Sequence, residues 1–231
     1  MKTVISSGSF QDAEVRAGSV SLRGDLTVPE NALGIVLFAH GSGSGRKSSR
    51  NRYVASVLQQ HGIGTLLFDL LTEDEERAEA LTAHLRFDIP LLAERLIHVT
   101  DWLRTQESRH HAFGYFGAST GAAAALMAAA HFGDAIAAVV SRGGRPDLAG
   151  GKLSMVTAPT LLIVGSRDVP VIGLNKDAFT QLRCEKQMKI VEGATHLFEE
   201  PGTLETVAEL AAGWFSKYFA AASGGRQTYR A

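Results

Sequence analysis

The chain has 231 residues, of which 45% are hydrophobic and 20% are charged, and its formal net charge is −1. This length suits one α/β domain with a substantial core and is short for two, so a single domain over residues 1–231 is predicted. The composition excludes a disordered chain. Because a net charge near zero supplies no long-range positive field, neither nucleic acid nor an anionic membrane is expected as a partner.

Cysteine usage and the first residues of the chain indicate a cytoplasmic protein. Cys184 is the sole cysteine in the sequence, so it cannot form an internal disulfide and a packing role is expected. Residues 1–10 contain no apolar signal-peptide core. The longest apolar stretch, 122–130, is far shorter than the ~20 residues needed to span a bilayer.

Strand patterns begin with residues 13–28, which alternate polar and apolar residues around a Gly at position 18 and predict an antiparallel pair at a sheet edge. Continuous apolar runs then follow, as is typical of parallel strands that are buried on both faces. The apolar runs cover residues 33–39, 65–68, 112–116, 136–140 and 160–164, and residues 188–191 are predicted to form a last strand.

Helical patterns lie between these strands, with apolar residues recurring at intervals of three and four. The fold class is therefore α/β: a mostly parallel twisted sheet of about eight strands with helices on both faces. Right-handed crossovers would place the loops that follow the strands at one functional edge. The predicted helices cover residues 52–61, 89–105, 120–131, 175–183 and 204–219.

Two segments fall outside this alternation. Residues 72–79 are acidic, and we interpret them as a solvated loop or helix start rather than a metal site, because no turn-forming glycine lies among the carboxylates. Residues 221–231 are small, polar and glycine-containing, which predicts a loosely ordered tail.

Residues 117–121 read Gly-Ala-Ser-Thr-Gly at the junction between a predicted strand and a predicted helix. In this context the central Ser119 is a candidate nucleophile, because a strained turn there lifts its hydroxyl clear of the sheet. The pentapeptide alone also fits an ordinary strand-to-helix turn. An acid and a histidine later in the chain decide between the two interpretations.

Asp168 ends a buried strand, and His196 lies on the loop after the last predicted strand. Ser119, Asp168 and His196 thus follow one another in the order that this nucleophile turn requires. His196 would take the Ser119 proton and return it to the leaving group, while Asp168 would fix the imidazole tautomer. Without a following histidine, a turn residue or a surface charge would be the better interpretation of Asp168.

The Gly-rich loop over residues 40–45 follows another buried strand and supplies a candidate oxyanion hole. Its backbone N–H at Ser42 is the first expected donor, and the N–H of Thr120 at a helix N-terminus is the second. His40, which ends the strand, is assigned to ordering this loop and is a tentative substrate contact. Nucleotide binding is disfavoured because the loop lacks a Gly-Lys-Ser/Thr ending.

Arg142 follows the strand over residues 136–140 and should therefore lie on the same functional edge. A guanidinium there can pair bidentately with a substrate carboxylate. A surface or structural arginine that bonds loop carbonyls is the equal alternative. No metal ligand set and no cofactor motif were identified.

Taken together, segments 38–45, 114–121, 161–168 and 193–198 give the chain a resemblance to the α/β-hydrolase superfamily, and within it to small lidless proteins similar to dienelactone hydrolase. The resemblance covers roughly residues 13–219. The strained turn over residues 117–121 carries Ser119 at the position where dienelactone hydrolases proper carry cysteine. The resemblance therefore implies a carboxylesterase and not a hydrolase of dienelactone itself. Only residues 141–158 separate two strands where relatives insert a lid, so an open site and short acyl groups are expected.

The sequence thus predicts a serine hydrolase that cleaves esters of small to medium acyl groups through an acyl-enzyme, with no cofactor. Thioesterase, lactonase and acyl transferase reactions would use the same atoms and remain open. A binding or regulatory module that retains the triad without turnover is the alternative from another class. The natural ester and the oligomeric state remain open as well.

Overall fold

The computed structural model describes residues 8–82, 84–106 and 111–227, and within them one eight-stranded sheet organises the chain. Its strands are β1 (Gly8–Ala17), β2 (Val20–Val28), β3 (Gly34–Ala39), β4 (Gly64–Phe68), β5 (Ala112–Ala118), β6 (Ile136–Arg142), β7 (Thr160–Gly165) and β8 (Lys186–Val191). The order across the sheet is β1-β2-β4-β3-β5-β6-β7-β8.

The sheet is mostly parallel, as the sequence predicts. Strands β4, β3, β5, β6, β7 and β8 pair in parallel, whereas β1 pairs antiparallel with β2 and β2 pairs antiparallel with β4. Every residue of β3, β4, β5 and β7 is buried, which explains their continuous apolar runs. The edge strand β8 is largely exposed, and its Lys186 and Lys189 disfavour pairing with another sheet.

Helices cover both faces of the sheet. Helices α3, α4 and α5 pack on one face and α1 and α6 on the other, and successive β5 residues alternate between the two cores. No helix within the described ranges is both long and apolar enough to cross a membrane. The helices are α1 (Ser49–Gln60), α2 (Glu73–Thr82), α3 (Ile89–Gln106), α4 (Thr120–Phe132), α5 (Val169–Gln181) and α6 (Thr203–Gln227).

The acidic segment after β4 forms helix α2. Thr72 and Glu75 make a reciprocal cap: the Thr72 N–H donates to Glu75 Oε2 at 2.8 Å, and the Glu75 N–H donates to Thr72 Oγ1 at 3.2 Å. Four acidic residues occupy the first turn, where the helix dipole favours negative charge. The acidic run is therefore the start of a helix.

The predicted tail is helical over residues 221–227, because α6 continues to Gln227. Alanine is the strongest helix former, and three alanines at 220–222 carry the helix onward. Ala222 also packs against the core beneath α6. Where the sequence predicts a loosely ordered tail, the structure thus has helix over 221–227, and residues 228–231 lie outside the described residues.

A nearly buried arginine anchors the loop between β3 and α1. Arg46 contacts three carboxylates: Asp12 of β1 at 2.6 Å, Asp25 of β2 at 3.4 Å, and Asp69 directly after β4 at 3.0 Å. The Arg46 N–H also donates to Asp69 Oδ1 at 2.8 Å. One guanidinium thereby fixes the loop to three strands.

His40, at the start of the same loop, is buried and bonded through both ring nitrogens. The Leu70 N–H donates to Nε2 at 3.0 Å, so Nδ1 carries the proton and donates to the Gly41 carbonyl at 3.0 Å. Burial lowers the pKa of His40 below its usual range, because the charged imidazolium would lose its hydration. The neutral ring therefore holds the loop to the segment after β4.

Replacement of Arg46 tests this anchor. Arg46→Leu removes the guanidinium that Asp12, Asp25 and Asp69 share, and Asp25 alone keeps a second pairing, with Arg52. The free energy of unfolding should therefore fall by about 3 kcal/mol or more. Arg52→Gln is the matched control, because Arg52 is half exposed and contacts Asp25 at 3.4 Å, and it should change the free energy by less than about 1 kcal/mol. Urea denaturation of both variants measures the difference; equal losses would contradict the anchoring role.

The lowered pKa of His40 predicts a pH-dependent stability. Below pH ~6.5 His40 becomes protonated in the unfolded chain, whereas in the native chain its lowered pKa keeps it neutral to a lower pH. The stability that neutral His40 contributes is therefore complete above pH ~6.5 and is lost as the pH falls below it. The difference in melting temperature between wild type and His40→Gln should therefore shrink on acidification. His98→Gln serves as control because the His98 side chain is 41% exposed. A difference independent of pH would refute the prediction.

Candidate active site

Ser119 lies between the end of β5 and the start of α4 with φ 50° and ψ −123°. A non-glycine residue at positive φ costs on the order of 1–3 kcal/mol, so surrounding contacts must hold it. The Ser119 N–H donates to the Arg142 carbonyl at 3.3 Å, and the Ser119 carbonyl accepts from the N–H groups of Ala122 at 3.1 Å and Arg145 at 3.0 Å. The turn is fixed by α4 and by the chain that leaves β6.

Two glycines let the backbone approach this turn. A Cβ on Gly121 would lie 2.1 Å from the Ala39 carbonyl oxygen, so only glycine lets α4 begin against the end of β3. A Cβ on Gly41 would lie 2.9 Å from Ser119 Cβ. The loop after β3 therefore runs directly beside the Ser119 side chain.

Asp168 and His196 meet at the same sheet edge. Asp168 follows β7 and precedes α5, and its Oδ2 lies 2.6 Å from His196 Nδ1. The Asp168 side chain is 11% exposed and that of His196 is 38% exposed. Donation from Nδ1 to the carboxylate leaves Nε2 of His196 as the nitrogen that can accept a proton.

A short segment connects the two halves of the site. The Arg142 carbonyl accepts the Ser119 N–H, and the next residue, Gly143, donates to the Ile163 carbonyl at 2.8 Å. The Cβ position of Gly143 lies 3.0 Å from the His196 carbonyl oxygen and 3.6 Å from His196 Nδ1. Residues 142–143 thus touch both the serine turn and the histidine loop.

One hydrogen bond joins Ser42 and Thr120, the two residues whose N–H groups are the expected oxyanion donors. The Ser42 N–H donates to Thr120 Oγ1 at 3.1 Å, so this amide has a partner in the structure. Thr120 is the first residue of α4, and its own N–H has no acceptor within the helix. The Thr120 hydroxyl, which sequence reasoning missed, therefore holds the Ser42 amide beside the N-terminus of α4.

The two tentative substrate contacts, His40 and Arg142, differ in whether their side-chain nitrogens already have hydrogen-bond partners. Both ring nitrogens of His40 bond the backbone, which fits loop ordering better than contact with a substrate. Arg142 is 6% exposed, and its Nη2 lies 3.3 Å from Asn51 Oδ1 in α1. Burial and the charge of Arg50 lower the pKa of Arg142 to about 10, so it stays protonated at neutral pH.

Sequence patterns gave no reason to select Asn51 or Phe198 for this site. Asn51 is 2% exposed within the first turn of α1, although its neighbours in sequence are polar. Phe198 has φ 56°, and its ring centroid lies 5.8 Å from the Arg142 guanidinium carbon. The positive φ and the contact with Arg142 are both tertiary features.

Comparison with solved structures supports the fold. A dienelactone hydrolase from Anabaena variabilis ATCC 29413 is 56% identical to this chain, with a TM-score of 0.88 over 92% of this chain and 99% of that one. Est1E from Butyrivibrio proteoclasticus is 16% identical, with a TM-score of 0.74 over 93% of this chain and all (100%) of that one. At that identity the second match speaks for the fold alone.

Two Mycobacterium tuberculosis proteins, each named as a candidate phosphoribosyl transferase, are 60% identical to this chain over 206 residues. The matched region covers 89% of this chain and 46% of each relative, so the chain spans about half their length. The family model described as "Dienelactone hydrolase family" matches residues 22–222. The chain therefore belongs to the dienelactone hydrolase family and has its α/β-hydrolase fold.

Proposed function

We propose that this protein is a serine hydrolase that cleaves carboxylic esters through an acyl-enzyme intermediate. The single observation that carries the proposal is the 2.6 Å contact between Asp168 and His196 at the sheet edge that also carries Ser119 in its strained turn. An ordinary strand-to-helix turn would require neither partner. Membership of a hydrolase family supports the same reaction class.

In the proposed reaction, Ser119 Oγ attacks the ester carbonyl carbon while His196 Nε2 takes the hydroxyl proton. The N–H groups of Thr120 and Ser42 donate hydrogen bonds to the tetrahedral oxyanion and stabilise it. For this, the Ser42 N–H leaves its present acceptor, the Thr120 hydroxyl oxygen, and donates to the oxyanion instead. His196 then protonates the departing alkoxide, and the acyl group stays on Ser119.

Water completes the cycle. His196 removes a proton from water, the resulting hydroxide attacks the acyl carbonyl carbon, and the acyl–Oγ bond breaks. The proton on His196 returns to Ser119 Oγ, so enzyme and proton count are restored. Asp168 stays ionised throughout and stabilises the imidazolium each time it forms. These steps need no metal or cofactor.

A preference for short acyl groups is part of the proposal. The connection between β6 and β7 holds only the 3-10 stretch Pro146–Met155, and long acyl chains need an extended apolar cover. Thioester, lactone and acyl-transfer chemistry would use the same groups. Product analysis with water and with alcohol acceptors separates hydrolysis from transfer.

The name of the mycobacterial relatives makes phosphoribosyl transfer a second candidate, favoured by 60% identity over 206 residues. Those proteins are about twice as long, and the half outside the match could equally carry that activity. Incubating this chain with a phosphoribosyl donor and acceptor bases tests the candidate. Pyrophosphate release that persists in Ser119→Ala would support it against the ester hydrolase.

A series of p-nitrophenyl esters from acetate to laurate tests the leading proposal. Wild type should release nitrophenol fastest from the short esters, whereas Ser119→Ala, Asp168→Asn and His196→Gln should each lower kcat by roughly a thousand-fold or more. The control Ser56→Ala removes a serine hydroxyl that bonds only the Tyr53 carbonyl among described partners, and it should keep the wild-type rate. Turnover by Ser119→Ala at the wild-type rate would contradict the proposal, and a triad without turnover on any ester would favour a binding module.

A further inference from the structure

A buried asparagine in α5 connects the helix that follows the acid of the site to the chain that supports the serine. Asn175 is fully buried, and its Nδ2 donates to two carbonyl oxygens, that of Gly144 at 2.9 Å and that of Val171 at 2.8 Å. Val171 lies in the first turn of the same helix, whereas Gly144 lies in the chain that leaves β6. One amide group thereby joins two backbone segments that are distant in sequence.

The orientation of the Asn175 amide is set by these partners. Both are carbonyl oxygens, which can only accept hydrogen bonds, so the NH2 group and not Oδ1 must face them. Oδ1 is buried and has no hydrogen-bond partner within the described part of the chain. An unpartnered buried oxygen is unfavourable, and an apolar side chain of the same size would avoid that penalty. What the asparagine contributes here is its two donated hydrogen bonds.

The Gly144 end of this link lies in the segment that supports Ser119. The next residue, Arg145, donates its N–H to the Ser119 carbonyl at 3.0 Å. The preceding residue, Gly143, lies against the histidine loop, because its Cβ position is 3.6 Å from His196 Nδ1. Displacement of Gly144 would therefore move the backbone that contacts both the serine and the histidine.

The Val171 end of the link lies in the helical turn that follows the acid. Asp168 is the residue directly before α5, and its side chain makes no capping hydrogen bond to this helix. Its Oδ2 instead lies 2.6 Å from His196 Nδ1. Because a hydrogen-bonded helical turn moves as a unit, a bond from α5 to Gly144 fixes where the acid stands relative to the serine turn.

We propose that Asn175 is a positioning residue for the reaction of Ser119. It holds Asp168 in register with residues 142–145, which support the serine turn. Within the residues that the structure describes, its bond to Gly144 is the one hydrogen bond between α5 and that segment. A misplacement of about 1 Å among reacting groups can lower a rate by about a hundred-fold. This inference rests on the proposed function of Ser119 and adds a residue that sets its geometry.

Thr100 offers a matched control, because it makes the same kind of link between other elements. It is fully buried in α3, and its Oγ1 donates to the Leu96 carbonyl at 2.7 Å and lies 2.8 Å from the Tyr115 hydroxyl in β5. Asn175 likewise bonds a carbonyl four residues earlier and one partner outside its helix. Loss of either link should lower the melting temperature by several degrees, so a difference in rate between the two reports on position rather than stability.

Kinetics with p-nitrophenyl acetate, well below the melting temperature of every variant, test the proposal. Asn175→Leu is close to asparagine in size and donates no hydrogen bond, so it should lower kcat about ten-fold and leave KM within about two-fold. Asn175→Ser keeps a hydroxyl for the Val171 carbonyl but is too short to reach Gly144, and it should lose kcat similarly. Thr100→Val should keep kcat within about two-fold.

Three kinetic results would overturn the inference. The first is a wild-type kcat in both Asn175 variants. The second is an equal loss of kcat in Thr100→Val, because destabilisation alone would then explain the effect. The third is a raised KM with unchanged kcat, which would indicate a role in substrate binding rather than in positioning.

Crystal structures of the same variants test the inference without turnover. Both Asn175 variants should show a displaced Gly144 and a distance between Asp168 Oδ2 and His196 Nδ1 beyond ~3.2 Å, outside hydrogen-bond reach. Thr100→Val should keep the contact at 2.6 Å. An unchanged distance in the Asn175 variants would overturn the inference even if wild type hydrolyses esters. A wild type inactive on every ester would instead contradict the proposed function, and the crystal structures alone would then decide whether Asn175 positions these groups.

Discussion

The backbone conformation of Ser119 is the constraint on which the rest of the site depends. Positive φ at a serine is unfavourable by about 1–3 kcal/mol, and the surrounding sheet must hold it there. Gly121 packs directly against the Ala39 carbonyl, and the Ser119 backbone forms hydrogen bonds with Arg142, at the end of β6, and with Arg145 after it. The same chain segment, at Gly143, abuts His196, so the strained turn and the histidine loop share one support.

The fold could be predicted from the sequence because each strand and helix leaves its own pattern of apolar residues in the segment that forms it. Strands buried on both faces are continuous apolar runs, and strands alternating with helices admit few topologies, so the parallel sheet with its antiparallel edge was expected and is confirmed. Ser119, Asp168 and His196 could be selected because each follows a strand at one edge, and the structure brings the last two into contact. Their catalytic roles stay predictions.

The features that the sequence did not predict are contacts between segments far apart in the chain. Arg46 bridges three carboxylates, the Thr120 hydroxyl captures the Ser42 amide, and Arg142 reaches Asn51. None has a periodic or motif signature, because each depends on which loops the sheet order places side by side. The sequence predicts a C-terminal helix that ends at residue 219, whereas α6 continues to Gln227. Packing of Ala222 against the core favours this extension together with the alanine content, and such packing has no sequence signature.

The central claim is that Ser119 carries the acyl group during turnover. Rapid quenching of the wild type with a p-nitrophenyl ester, followed by peptide mass spectrometry, tests it most directly. The account predicts a mass increase equal to the acyl group on the peptide that contains Ser119, and on no peptide of the Ser119→Ala variant. Ester hydrolysis without an acylated Ser119, under conditions where deacylation is trapped, would contradict the account.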